Sequence, residues 1–258
     1  MPKSLAGQDW LLLRGLCREA AHWGEFPELL QNTFPESSVS TIDLPGTGRY
    51  CQERSPDTIE AITEQVRRQA LANGLLARPV TILALSLGGM VAWEWLQRYP
   101  QDIAATVLVN TSFAGLSPFY RRMRWQSYPQ FLGLLLERDL YKRELAIIRL
   151  VGNRRERDME TAEAWTAIQN ARPISFANCV RQITAAARYR PGTGKPDMPL
   201  LLLNGRGDRL VAPACSDAIH KKWQIDILKH PWAGHDLCLD DGAWVANRLK
   251  DWLNQPTV

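Results

Sequence analysis

The sequence predicts an α/β fold: a mostly parallel sheet of about six strands, helices on both faces, and a helical segment inserted within it. Three observations carry that reading. Short apolar runs recur at residues 10–16, 39–44, 80–86, 106–110, 199–204 and 225–229. Helix-length stretches separate most of them. The interval 117–190 holds no convincing strand.

Taken in order, the short apolar runs, each followed by turn residues, read as buried parallel strands. Residues 58–72 follow Ser55-Pro56-Asp57, a plausible cap, and repeat apolar residues at helical spacing. A second helix is predicted over 88–98, stopped by Pro100, and a third over 242–253. The strand-free interval divides into helix-like stretches at 120–138, 140–150, 158–170 and 175–188, punctuated by Pro118, Gly152 and Pro173. Residues 191–196, rich in proline and glycine, read as the loop returning to the sheet. We therefore divide the chain into a core at 1–113 and 193–258, with an inserted helical block at 114–192.

The 258 residues suffice for one large domain or a core with an insertion. Apolar residues make up 45% and charged residues 22%, ordinary for a globular chain. A net charge of +4 is too small to argue for nucleic acid. No apolar run is long enough to span a membrane, and the first ten residues lack the apolar stretch of a secretory signal. The five cysteines are scattered, with no metal-binding spacing, and read as reduced thiols. We expect a cytoplasmic monomer without metal or organic cofactor.

The strongest chemical signal is the run Val80 to Met90, in which an apolar strand leads into Ser86-Leu87-Gly88-Gly89 and then a helix. That strand–turn–helix context lifts a serine hydroxyl above the sheet edge in a strained conformation. Ala84, Gly88 and Gly89 provide the small neighbours such a turn needs, although the usual first glycine is here alanine. A serine nucleophile needs a base and an orienting acid. Of the four histidines, His235 lies between the last strand and the terminal helix. Asp208 ends a glycine-rich turn after the strand at 199–204, whereas the position after the preceding strand, Asn110-Thr111-Ser112, offers no carboxylate. Ser86, Asp208 and His235 are thus the candidate catalytic residues.

With these residues in chain order, the sequence resembles the α/β-hydrolase superfamily over nearly its whole length. Asp43-Leu44-Pro45-Gly46-Thr47-Gly48 is similar to a turn motif found after an early strand in many members. The resemblance implies that the helical block is a cap or lid. It also implies that backbone N–H groups of Leu16 and Leu87 form an oxyanion hole. Arg14 and Cys17 depart from the family pattern, which has histidine and commonly a second glycine there. Either the loop takes another shape or Arg14 reaches the substrate.

The first half of the block is rich in arginine, and its aromatic residues fall at helical spacing. A solvated surface and packing against the core account for these patterns as well as ligand binding does. The candidate substrate contacts are Arg14, Tyr120, Arg124, Trp125, Phe131, Arg154 and Arg155. The expected activity is hydrolysis of a carboxylic ester or thioester, on a small molecule or a carrier-bound acyl group. The cap and its charge are similar to those of esterases acting on acyl-carrier-protein methyl esters in biotin synthesis, which implies an acyl carrier protein as partner. Two alternatives stay open: carbon–carbon hydrolase or lyase chemistry with the same triad, and a non-catalytic ligand-binding or docking member of the fold.

Overall fold

A computed structural model describes residues 7–254. The first six residues, part of the segment read as lacking a secretory signal, lie outside the described residues. The sheet is formed by β1 (Trp10–Leu13), β2 (Val39–Ile42), β3 (Val80–Leu85), β4 (Ile103–Val109), β5 (Leu200–Gly205) and β6 (Asp226–His230). All pairings are parallel, in the order β2-β1-β3-β4-β5-β6. Every strand therefore presents its C-terminal end at the same edge.

Alternation along the strands divides the core into two layers. On one face Leu11, Leu13 and Ile82 pack with α2 (Ile59–Ala72), α3 (Leu87–Arg98) and α9 (Ala214–Trp223). On the other, Trp10, Leu12 and Leu83 pack with α1 (Phe26–Thr33) and α10 (Leu237–Leu253). Burial on both faces explains why the central strands β1, β3, β4 and β5 read as apolar runs, while the partly exposed edge strands β2 and β6 carry polar residues.

Between β4 and β5 run α4 (Phe119–Arg122), α5 (Tyr128–Leu136), α6 (Leu140–Val151), α7 (Asp158–Ala171) and α8 (Phe176–Arg188). The single helix expected over 120–138 is divided, because Pro129 sits in the first turn of α5, where its missing N–H does least harm. Helix α1, not singled out from sequence, carries Pro27 in the same position. Helix α10 begins before residue 242, and its extension is bent at Asp241 (φ −154°, ψ 70°).

Two buried polar contacts join distant parts of the chain. Arg14, just beyond β1, donates to Asp236 at the start of α10 at 2.7 Å, and its guanidinium lies 4.6 Å from the centre of the Trp23 ring. Both charged side chains are almost fully buried. His22 packs edge-on against Trp165 of α7 at 5.1 Å. Burial and the neighbouring Arg18 and Arg14 hold its pKa far below the ordinary value.

Removing one member of a buried ion pair strands the other without its partner. Arg14→Ala is expected to lower stability by about 3–5 kcal/mol, read as a reduced urea midpoint. For His22 the unfolded chain takes up a proton below about pH 6.5 that the folded chain refuses. Its contribution is thus full above that pH and lost as pH falls, by about 1.4 kcal/mol per unit. His22→Phe should flatten that part of the stability profile between about pH 7 and 5, measured by urea unfolding.

Candidate active site

Ser86 joins β3 to α3 with φ 57° and ψ −115°, the left-handed strained conformation anticipated for a serine at a sharp turn. Three hydrogen bonds hold it there. Its N–H donates to Val109 O at 2.9 Å, and its carbonyl accepts from Gly89 N–H at 2.9 Å and the Thr111 hydroxyl at 2.7 Å. Close approach explains the small residues. A methyl group at Gly88 would come within 2.5 Å of the Arg14 carbonyl, and one at Gly89 within 2.8 Å of the Thr111 side chain.

Asp208 follows β5 and is fully buried. One carboxylate oxygen accepts backbone N–H bonds from Leu210 at 2.8 Å and Val211 at 2.9 Å. The other lies 2.7 Å from His235 Nδ1. An ionised carboxylate only accepts, so this contact sets the proton on Nδ1 and leaves Nε2 free to take another. Ser86 Oγ and His235 share no direct hydrogen bond among the described residues. That second contact commonly closes only when substrate is bound.

The His235 loop is fastened from below by Asn110, the residue after β4. Its amide nitrogen donates to Gly234 O at 3.0 Å and His235 O at 2.8 Å, while its oxygen accepts from Gly205 N–H and the Asn204 amide, each at 3.0 Å. Asn110, which offers no carboxylate, thus fixes the backbone of the His235 loop. Its φ of 46° is in the left-handed region, which asparagine tolerates better than most residues. An asparagine just after a buried strand is the available signal, but its partners lie 94 to 125 residues away.

Gly15 lies against Ser86, where an added methyl would be 3.1 Å from Ser86 Cβ. The loop bearing Leu16 and the first turn of α3 bearing Leu87 thus flank the serine, and the free N–H groups of that turn carry a favourable field for negative charge. Arg14, by contrast, is engaged with Asp236 and Trp23. Asp43 stabilises the adjoining loops by accepting from Ala20 N–H at 2.7 Å and Arg49 N–H at 2.9 Å.

Other sequence candidates separate. Arg124 and Arg155 line a cavity of about 790 Å³, together with Lys142, Arg149 and Arg209 and no carboxylate. Arg124 also donates to the Asp208 backbone carbonyl at 2.6 Å, joining the cavity wall to the candidate acid's turn. Burial and the neighbouring Arg155 depress the pKa of Arg209. Arg209 lies outside the helical block, next to Asp208, so the arginine-rich pattern of that block does not include it. Arg154 uses its backbone N–H on Asp240 at 2.9 Å and holds its guanidinium 5.9 Å from the Trp232 ring centre. Tyr120 and Trp125 are exposed, Phe131 is half-buried, and none of the three lines the cavity.

Among the described residues no cluster of three metal-ligating side chains occurs, and no helix is long and apolar enough to cross a membrane.

Residues 10–248 match the model of the alpha/beta hydrolase family. The chain is 23% identical over 263 residues to the biotin biosynthesis bifunctional protein BioHC of Teredinibacter turnerae, covering 95% of this chain and 44% of that protein. It therefore spans less than half the length of that relative. It is 26% identical over 220 residues to the pimeloyl-acyl-carrier protein methyl ester esterase of Salmonella enteritidis, covering 83% and 80% of the two chains. A thermophilic esterase from Thermogutta terrifontis, solved with malate bound, has a TM-score of 0.71 at 20% identity, covering 96% of this chain and 90% of its own, a likeness of fold. With the family model matched from the first strand into the last helix, the chain belongs to the alpha/beta hydrolase family.

Proposed function

We propose that the chain is a serine carboxylesterase that hydrolyses the ester of an acyl group borne on an anionic carrier, of the acyl-carrier-protein methyl ester kind. The observation that carries the catalytic part is the buried 2.7 Å contact between His235 Nδ1 and Asp208, at the sheet edge where Ser86 is held in its strained turn. In this reading Ser86 Oγ attacks the ester carbonyl while His235 Nε2 takes its proton. Asp208 holds the ring in the required tautomer and stabilises the imidazolium. The N–H groups of Leu16 and Leu87 receive the developing oxyanion, each such donor being worth about 3 kcal/mol. His235 returns its proton to the leaving alcohol, then activates water to release the acid.

Residues 114–192 serve in this reading as a cap, with the cavity between its helices and the turn after β5 receiving the carrier's anionic portion. The support is the convergence of Arg124, Lys142, Arg149, Arg155 and Arg209 on one cavity, since guanidinium groups bind phosphate and carboxylate in two-point fashion. The resemblance to the Salmonella enteritidis esterase agrees with that substrate class.

Treatment with a fluorophosphonate is expected to add one label, read by intact-protein mass spectrometry, that Ser86→Ala loses. Asp208→Asn should lower kcat for a p-nitrophenyl ester by about 10⁴-fold with the fold intact by circular dichroism. Absence of label in folded wild-type protein would remove the serine-esterase reading. For the carrier, Lys142→Glu combined with Arg149→Glu should reduce kcat/KM on an acyl-carrier-protein methyl ester by about tenfold or more relative to the p-nitrophenyl ester. The difference should shrink as salt rises. Equal losses on both substrates would count against carrier docking at this cavity.

A further inference from the structure

Two thiols face each other across the junction between the sheet and the helical insertion. Cys17 Sγ and Cys179 Sγ are 2.8 Å apart, from residues separated by 162 positions in the chain. Cys17 lies in the loop after β1, two residues beyond the glycine that abuts Ser86. Cys179 lies in the first turn of α8.

The pairing is held from several sides. The Cys17 N–H donates to Gln182 Oε1 at 2.9 Å, one turn further along α8, and Gln182 Nε2 donates to Pro45 O at 3.3 Å. On the other side of Cys179, Asn178 Oδ1 accepts from Ser55 N–H at 3.0 Å and its amide nitrogen donates to Glu53 O at 2.9 Å. Cys17 itself has φ 58°, a left-handed conformation that glycine would adopt freely and cysteine does not. Strain of this kind persists where its surroundings over-determine it, and it gathers at functional positions.

We propose that Cys17 and Cys179 are a peroxide-reactive thiol pair, closing to a reversible disulfide that ties the loop beside Ser86 to α8. Cys179 is half-buried and open to a small oxidant, with Cys17 against it; Cys51 is equally half-buried but has no thiol partner among the described residues, and Cys215 and Cys238 are buried. The roles are unequal. The bond from Cys17 lowers the pKa of the Cys179 thiol, aided by Arg18 and Arg143, while that same bond and burial push the Cys17 thiol up. Cys179 also lies in the first turn of α8, where the helix field favours a thiolate, so it is the attacking thiol and Cys17 the resolving one.

The steps balance with an alkyl or hydrogen peroxide as oxidant. The Cys179 thiolate attacks the terminal peroxide oxygen, the O–O bond breaks, and the departing alkoxide or hydroxide is protonated. Cys179 is left as a sulfenic acid. Cys17 sulfur then attacks the Cys179 sulfur. The S–S bond forms, the S–O bond breaks, and hydroxide leaves with the Cys17 proton as water. Two thiols have lost two electrons to the peroxide, and a dithiol reductant returns them by exchange.

A disulfide requires the sulfurs to close to about 2.05 Å, which draws Cys17 towards α8. Resting on the esterase reading above, the consequence is a shift of Leu16, the adjacent donor to the oxyanion. Displacements of this order at a reacting centre reduce turnover steeply.

The test treats full-length protein with a small excess of hydrogen peroxide. Intact mass should fall by two hydrogens, non-reducing peptide mapping should join the Cys17 and Cys179 peptides, and dithiothreitol should reverse both. On a p-nitrophenyl ester, kcat should fall about tenfold or more on oxidation and recover on reduction. Cys179→Ser should retain the reduced enzyme's activity and lose the sensitivity. A folded protein that gains only oxygen, or links other cysteines, overturns the thiol pair. A link that leaves turnover unchanged, or sensitivity that survives in Cys179→Ser, overturns its control of the site. If the reversible link forms in a protein that cleaves no ester before treatment, the thiol pair stands and the esterase reading fails.

Discussion

The close packing of α3 against the end of β1 is the constraint from which the site follows. Gly88 lets the helix backbone reach the Arg14 carbonyl, and any side chain there would force the two apart. With α3 seated so tightly, the turn at Ser86 has no room for a relaxed path, and its positive φ follows. Thr111 and Val109 then hold the strained turn from β4. A parallel sheet brings β3, β4 and β5 to one edge, so residues far apart in sequence can meet around that serine.

A second level of order comes from buried polar groups whose partners are backbone. Asp240, early in α10, accepts N–H bonds from Gly234 at 2.6 Å, Asn153 at 2.8 Å and Arg154 at 2.9 Å. Burial still raises its pKa, because those bonds offset only part of the desolvation. The Asn153 side chain adds bonds to Trp232 O at 2.7 Å and Gly207 O at 3.1 Å, and Asp236 N–H reaches Val151 O at 2.9 Å. The end of α6 is thus tied to the turns carrying both Asp208 and His235. Opening of the helical segment at this end would break hydrogen bonds that hold the His235 loop, so its helices brace that loop.

The distribution of arginines illustrates how charge and position separate. Arg14 and Arg18 look equivalent to the basic residues of the insertion when only sequence is considered. In the fold, Arg14 pairs with Asp236 and Arg18 with Glu144 at 2.7 Å, each close against an aromatic ring. Arg149 and Arg155 share Asp158 at 3.3 and 3.4 Å and still face the cavity with Arg209. Guanidinium groups planar enough to stack and fork serve structure in the first case and a basic cavity in the second.

Sequence by itself determined the sheet, its strands and the chemical types at its edge. Apolar runs, helical spacing and the small residues around Ser86 act over a few neighbouring positions, so local pattern records them. Tertiary structure alone decided the fastening of the His235 loop by Asn110, the burial of Arg14 on Asp236, the entry of Arg209 into the basic cavity and the meeting of Cys17 with Cys179. In the first, second and fourth of these, partners lie more than a hundred residues apart. Cys17 also occupies a backbone conformation its residue type disfavours. No local propensity encodes such contacts, because they exist only once the sheet has brought its strand ends together and the helices between β4 and β5 have packed against the loops beyond them.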